Sequence, residues 1–197
     1  MSRPVGTNSE DTKKYIQEIA TKIFGYKGYT ATSMADIKNE TNLSKGTIYY
    51  HFKNKEDLYL YCLIQSSNNY VKKWKIISKN DSSAVDKLYS WGKLNSMESQ
   101  QPLTKTISEY LVSVHKDDTS TFISIFKPEL DIIRNIIEEG IASGEFKIDL
   151  DVESTTFILF NLISSLDSSF YIGYKVPETQ RNHYMNAIDI VVKGLKI

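Results

Sequence analysis

Apolar residues recur at helical spacing along almost the whole chain, and strand signals are scarce. Ile16, Ile19, Ala20, Ile23 and Phe24 fall at i, i+3, i+4, i+7 and i+8, so they share one helical face. The same pattern returns between polar breaks down to the last residues, which predicts an all-α fold of about nine helices. Capping chemistry divides them. Thr7 with Glu10 predicts the start of the first helix, and Gly28 its end. Ser33 with Asp36 opens a short second helix, running to about Glu40. Ser44 opens a third, over Lys45 to His51. Asn54 with Asp57 opens a long fourth, to about Ser78. Further helices are predicted over residues 84–98, about 102–115, 119–142, 152–173 and 177–195. Pro128 either kinks its helix or begins a new one. The chain then divides into an N-terminal three-helix part, residues 1–53, and a helical bundle, residues 54–197.

Several function classes lose support. A chain of 197 residues, 41% of them hydrophobic, can bury a real core. No apolar run approaches the roughly 20 residues that span a bilayer, and the first residues lack an apolar signal core, so no membrane role and a cytoplasmic location are expected. Cys62, the single cysteine, cannot staple the fold. The three histidines, His51, His115 and His183, have no ligand-like neighbours. No Gly-rich phosphate loop, metal-spaced His/Cys/Glu set or GxSxG elbow is present, so no enzyme activity, metal or cofactor is expected. The net charge is zero, with only a slight basic excess in the first 60 residues. Placement of charge therefore matters more than its sum.

The placement is telling in LSKGTIYYHFKNKEDL, residues 43–58. Two short helices joined by a three-residue turn make a helix-turn-helix. With Ile37, Leu43, Ile48 and Phe52 inward, Lys45, Gly46, Thr47, Tyr49 and Tyr50 face out, and His51 and Lys55 sit at the edge. Such a face offers donors and flat apolar groups to base edges, and donors to phosphates. Gly46 costs up to about 1 kcal/mol of helix propensity, which close approach to a duplex would explain.

Two stretches, IQEIATKIFGYKGYTATSMADI and LSKGTIYYHFKNKEDLYLY, closely resemble the DNA-binding domain of the TetR (tetracycline-repressor) family of transcriptional regulators. Residues 129–147, ELDIIRNIIEEGIASGEFK, resemble a stretch of that family's C-terminal half. Two positions depart from the family pattern: Asn42 stands where the turn often has glycine, and Lys38 where a small residue is usual. The resemblance implies that Lys45, Gly46, Thr47 and Tyr49 face bases, and that Ser33, Tyr50, His51 and Lys55 contact phosphates or the DNA backbone. Ser33 and Ser44 also read simply as helix caps.

A single helix-turn-helix reads few base pairs, whereas two about 34–36 Å apart read a palindromic operator. The bundle should therefore form a homodimer. Phe157, Ile158, Leu162, Leu166 and Phe170 line one helical face, and Ile188, Val191, Val192 and Leu195 part of another. The resemblance implies that this helix pair supplies the dimer seam. It also implies a small-molecule inducer, apolar or aromatic, for which Trp74, Trp91, Tyr110 and Phe126 are candidate contacts. The expected function is a dimeric repressor released by ligand. The alternative is a DNA-binding regulator or activator controlled by a protein partner.

Overall fold

The computed structural model describes residues 8–99, 101–114, 120–166 and 177–196. Among these there are nine α-helices and one 3-10 turn: α1 (Ser9–Lys27), α2 (Met34–Thr41), α3 (Lys45–His51), α4 (Lys55–Ile77), α5 (Ala84–Glu98), the turn Thr104–Thr106, α6 (Ile107–Val114), α7 (Ser120–Ala142), α8 (Val152–Leu166) and α9 (Pro177–Leu195). No strand occurs among the described residues, only an isolated bridge between Phe146 and Lys196.

Contacts group the described residues into two compact units. The first contains 8–66 and 101–114, so α6 belongs with the N-terminal helices. The second contains 67–99, 120–166 and 177–196. The functional boundary expected at residue 53 is a separate matter and stays our proposal.

In the first unit, Asn8 caps α1 by accepting the Asp11 N–H at 2.9 Å, one residue on from the expected Thr7–Glu10 pair. Ile16, Ala20 and Phe24 of α1 are fully buried, as are Ile37 of α2, Ile48 of α3, and Leu58, Tyr59 and Cys62 of α4. Removing a buried isoleucine side chain to alanine typically costs about 2–5 kcal/mol, so Ile48 alone ties α3 firmly to the other helices. Ser33 and Asp36 form the expected capping box at α2. Lys27 donates to Asp36 at 2.6 Å, linking the end of α1 to the start of α2. Asn42 adopts φ 54°, the one non-glycine with positive φ among the described residues, and this left-handed turn separates α2 from α3. Asparagine tolerates that conformation better than most residues. Lys38 is exposed, so its side chain avoids the helix crossing.

The second unit closes a ring of four helices. α5 packs on α9 and α7, α7 on α8, and α8 on α9. Leu88, Trp91 and Leu94 of α5 meet Ile133, Ile136 and Ile137 of α7, Leu159 and Ile163 of α8, and Tyr184, Ile188 and Val192 of α9 in one core. α7 is a single helix with Pro128 inside it, rather than two. Ser83 caps α5 by accepting the Asp86 N–H, and the Glu145 carboxylate accepts the next exposed donors, the N–H groups of Ala84 and Val85.

Candidate nucleic-acid interface

α3 is short and two-faced. Ser44 starts it by accepting the Thr47 N–H at 3.0 Å, and its hydroxyl lies 2.8 Å from Thr47 Oγ1. Ile48 and Phe52 are buried and anchor the inner face. Lys45, Gly46, Tyr49 and Tyr50 are exposed on the outer face, with Thr47 and His51 at its margins. Tyr50 is 78% exposed, so most of its ring and its hydroxyl face solvent. Lys45 Nζ sits 5.5 Å from the centre of the Tyr49 ring, one helical turn on. A cation over an aromatic face is attracted to it, so the two side chains are pre-arranged together. A Cβ added at Gly46 would meet nothing nearer than Ser44 Oγ at 3.8 Å. The protein's own packing does not demand glycine there.

Three edge residues differ in what they have left to give. Burial first, and then the charge of Lys13, lower the His51 pKa below its ordinary value against the pull of Glu10. His51 is thus a neutral ring at neutral pH, with one N–H to donate. The Ser33 hydroxyl accepts the Asp36 N–H at 3.1 Å and donates to the Asp36 carboxylate at 2.6 Å. Its one donor is committed, so it reaches a phosphate only by giving up part of the cap. Hydrogen bonds from Lys27 first, and then from Ser33, hold Asp36 far below the usual carboxylate range. Lys55 also looks inward. Its Nζ donates to the carbonyls of Tyr29 at 2.9 Å and Thr30 at 3.3 Å.

The ligand candidates do not form one set. Tyr110 lies in the first unit, its ring 4.9 Å from those of Tyr29 and Tyr59, and its hydroxyl donates to Glu56. Trp74, Trp91 and Phe126 lie in the second unit. There Trp91 is a buried core residue, Trp74 packs against that core, and Phe126 meets Phe160 edge-on at 6.1 Å.

The second unit also holds an acid that the sequence pattern did not mark. Burial, followed by the nearby charge of Glu98, raises the pKa of Glu129 to about 7. Ser67 pulls the other way, yet its buried hydroxyl has no partner within hydrogen-bond distance, so it does not satisfy the carboxylate. Glu98 is itself paired with Lys73 at 2.7 Å.

The candidate seam residues separate clearly. Phe157 and Ile158 are 65% and 61% exposed, Leu162 is exposed beside them, and Leu166 is half-buried. Ile188, Val192 and Leu195 are buried in the unit's own core, and Val191 packs against it. On α9 the outward apolar residue is instead Ile190, 70% exposed. Phe170 lies outside the described residues.

Comparison with known proteins agrees with this anatomy. Residues 16–62 match the family model for bacterial regulatory proteins of the tetR family. Residues 66–196 match that for the C-terminal region of QacR-like proteins. The chain is 28% identical to the HTH-type transcriptional regulator QacR of Staphylococcus aureus over 157 residues, 78% of this chain and 83% of that one. It is 30% identical to the HTH-type transcriptional regulator YhgD of Bacillus subtilis over 201 residues, 95% of this chain and 98% of that one. Among solved structures, the transcriptional regulator FadR of Bacillus subtilis in complex with stearoyl-CoA shares the fold, with a TM-score of 0.79 at 22% identity over 89% of this chain and 96% of that one. No described helix is long and apolar enough to cross a membrane. The two family matches, one over the helix-turn-helix and one over the four-helix ring, show that this chain belongs to the TetR family of bacterial transcriptional regulators, which are not enzymes.

Proposed function

We propose that the chain is a cytoplasmic, homodimeric repressor that reads a palindromic operator through α3 and lets go when a small molecule enters its second unit. The outward display of α3 carries this reading: Lys45, Gly46, Tyr49 and Tyr50 face solvent while Ile48 and Phe52 anchor the helix. Lys45 is the leading base or phosphate donor, Thr47 offers a methyl, and Tyr50 and His51 suit phosphates. Footprinting of the wild-type protein and Lys45→Ala on a genomic fragment tests it. A protected palindrome that the variant fails to protect supports the reading. Equal protection by both removes Lys45 from the interface.

The dimer seam we propose is the exposed α8 face of Phe157, Ile158 and Leu162, extended by Ile190 of α9. The buried α9 residues support that face from below. The inducer we propose is mainly apolar or aromatic. Glu129, with Glu98 near it, makes one partly buried region of the second unit acidic. That favours a ligand presenting a hydrogen-bond donor or a positive charge over one presenting a free carboxylate.

A further inference from the structure

The turn between α1 and α2 is gripped from two sides. Tyr29 and Thr30 donate their backbone N–H groups to the Glu109 carboxylate, at 3.0 Å to Oε2 and 2.7 Å to Oε1. The carbonyls of the same two residues accept from Lys55 Nζ at 2.9 and 3.3 Å. That ammonium also lies 4.4 Å from the centre of the Tyr29 ring. One dipeptide thus has both its donors and both its acceptors taken by charged side chains, one from α6 and one from α4. Hydrogen bonds with one ionised partner are about twice as strong as neutral ones.

The local backbone is shaped for this grip. Gly28 has φ 86°, and a Cβ there would lie 2.5 Å from Glu109 Oε2. α6 is seated so that Glu109 can reach. Gly25 leaves room for Pro102, whose Cβ would be 2.1 Å from an added methyl. The Tyr59 hydroxyl lies 2.9 Å from Thr106 Oγ1, and Tyr110 donates to Glu56 at 3.0 Å. The gripped turn leads directly to the reading helices. Thr32 donates back to the Gly28 carbonyl at 2.6 Å, and Ser33 next to it is the cap of α2.

We propose that Glu109 and Lys55 are positioning residues for DNA reading: together they fix the 28–33 turn and so the pose of α2 and α3, and Lys55 acts there rather than on a phosphate. The proposal rests on α3 being the reading helix. A phosphate donor and a positioning residue differ in what their loss does. Loss of a phosphate contact weakens binding to every sequence and lowers the salt slope by about one unit. Loss of positioning weakens the selected sequence and leaves the slope alone.

The test uses the full chain and a duplex that the wild-type protein selects from a random pool. Affinity for that duplex and for scrambled DNA is measured at several salt concentrations for wild type, Glu109→Gln, Lys55→Met and Lys55→Arg. Backbone amide exchange at Tyr29 and Thr30 is followed in the same proteins without DNA. Glu109→Gln and Lys55→Met should each lose about tenfold in affinity for the selected duplex, with scrambled binding and salt slope unchanged. Lys55→Arg should recover most of that loss. Glu109→Gln should also speed exchange at the two amides, a readout that stands even if the variant is less stable, because the rest of the first unit serves as its reference. A salt slope lowered by about one in Lys55→Met, with scrambled binding weakened too, would overturn the role given to Lys55. Unchanged exchange and undiminished affinity in Glu109→Gln would overturn the role given to Glu109. A wild-type protein that selects no duplex would sink the DNA reading, and the positioning role with it, while the exchange data would still judge the grip as a structural feature.

Discussion

Thr47 sits at the margin of the outer face with its hydroxyl 2.8 Å from Ser44 Oγ, which leaves its methyl as the group free to meet a base. Thr47→Ala should therefore change preference at one base-pair position, by about 1–3 kcal/mol at most. Selection of binding sites from a randomised operator checks this, and equal weakening on all sites would show that Thr47 is not a base reader. Ser44→Ala should instead lower thermal stability, by about 0.5–2 kcal/mol for a lost cap. For Glu129, the unfolded carboxyl titrates near 4.5 and the native one near 7. Between those values the unfolded chain has released the proton and the native chain still holds it. Stability therefore falls as pH rises through that window and is level above it. The whole effect is on the order of 3 kcal/mol. Glu129→Gln should raise the melting temperature at pH 8 and leave it unchanged at pH 4, and a variant less stable than wild type at pH 8 would contradict this. Burial pushes the Cys62 thiol up to about 12. A thiol held neutral and enclosed is a poor nucleophile, so Cys62 serves the first unit's core.

At the scale of elements, local chemistry was legible and long-range partnership was not. Most helix boundaries follow from caps that act within four residues: Ser33 with Asp36, Ser44 with Thr47, and Asn42 at the turn. α1 begins just after Asn8 because the asparagine side-chain carbonyl accepts the Asp11 N–H there, a choice that the rival pair Thr7 and Glu10 made ambiguous in sequence. The apolar stripes of α8 and α9 were equally plain, but a stripe does not say which neighbour covers it. Ile188 is fully buried against its own chain, while Phe157 is mostly exposed. A charge at Phe157 or Ile158 should therefore yield folded monomers if α8 is the seam, whereas Val192→Asp should unfold the second unit before it says anything about assembly. Sedimentation with far-UV circular dichroism separates the two, and intact dimers of Phe157→Glu and Ile158→Glu would move the seam elsewhere. Glu109 had no local signal at all, because its partners lie about 80 residues away. Only the pairing of α6 with the N-terminal helices brings it to the turn.

At the scale of the molecule, the described residues fall into two units. The first presents α3 and includes α6, so a segment from the middle of the chain is built into the unit that carries the helix-turn-helix. The second holds the four-helix ring, the exposed α8 face and the buried acid. The zero net charge, which at first tells against nucleic acid, is compatible with DNA binding because local placement matters more than the sum, and Lys45, Tyr49 and Tyr50 stand exposed together on one short helix. The central claim is that α3 reads a duplex as half of a symmetric pair. The most direct measurement is binding of the purified protein to the DNA upstream of its own coding region, and to fragments selected from its genome, at several salt concentrations against scrambled DNA. The account predicts saturation at one dimer per palindromic site, with affinity well above that for scrambled DNA and falling as salt rises. Equal, weak binding to every fragment, or none, by protein freed of bound small molecules would contradict it.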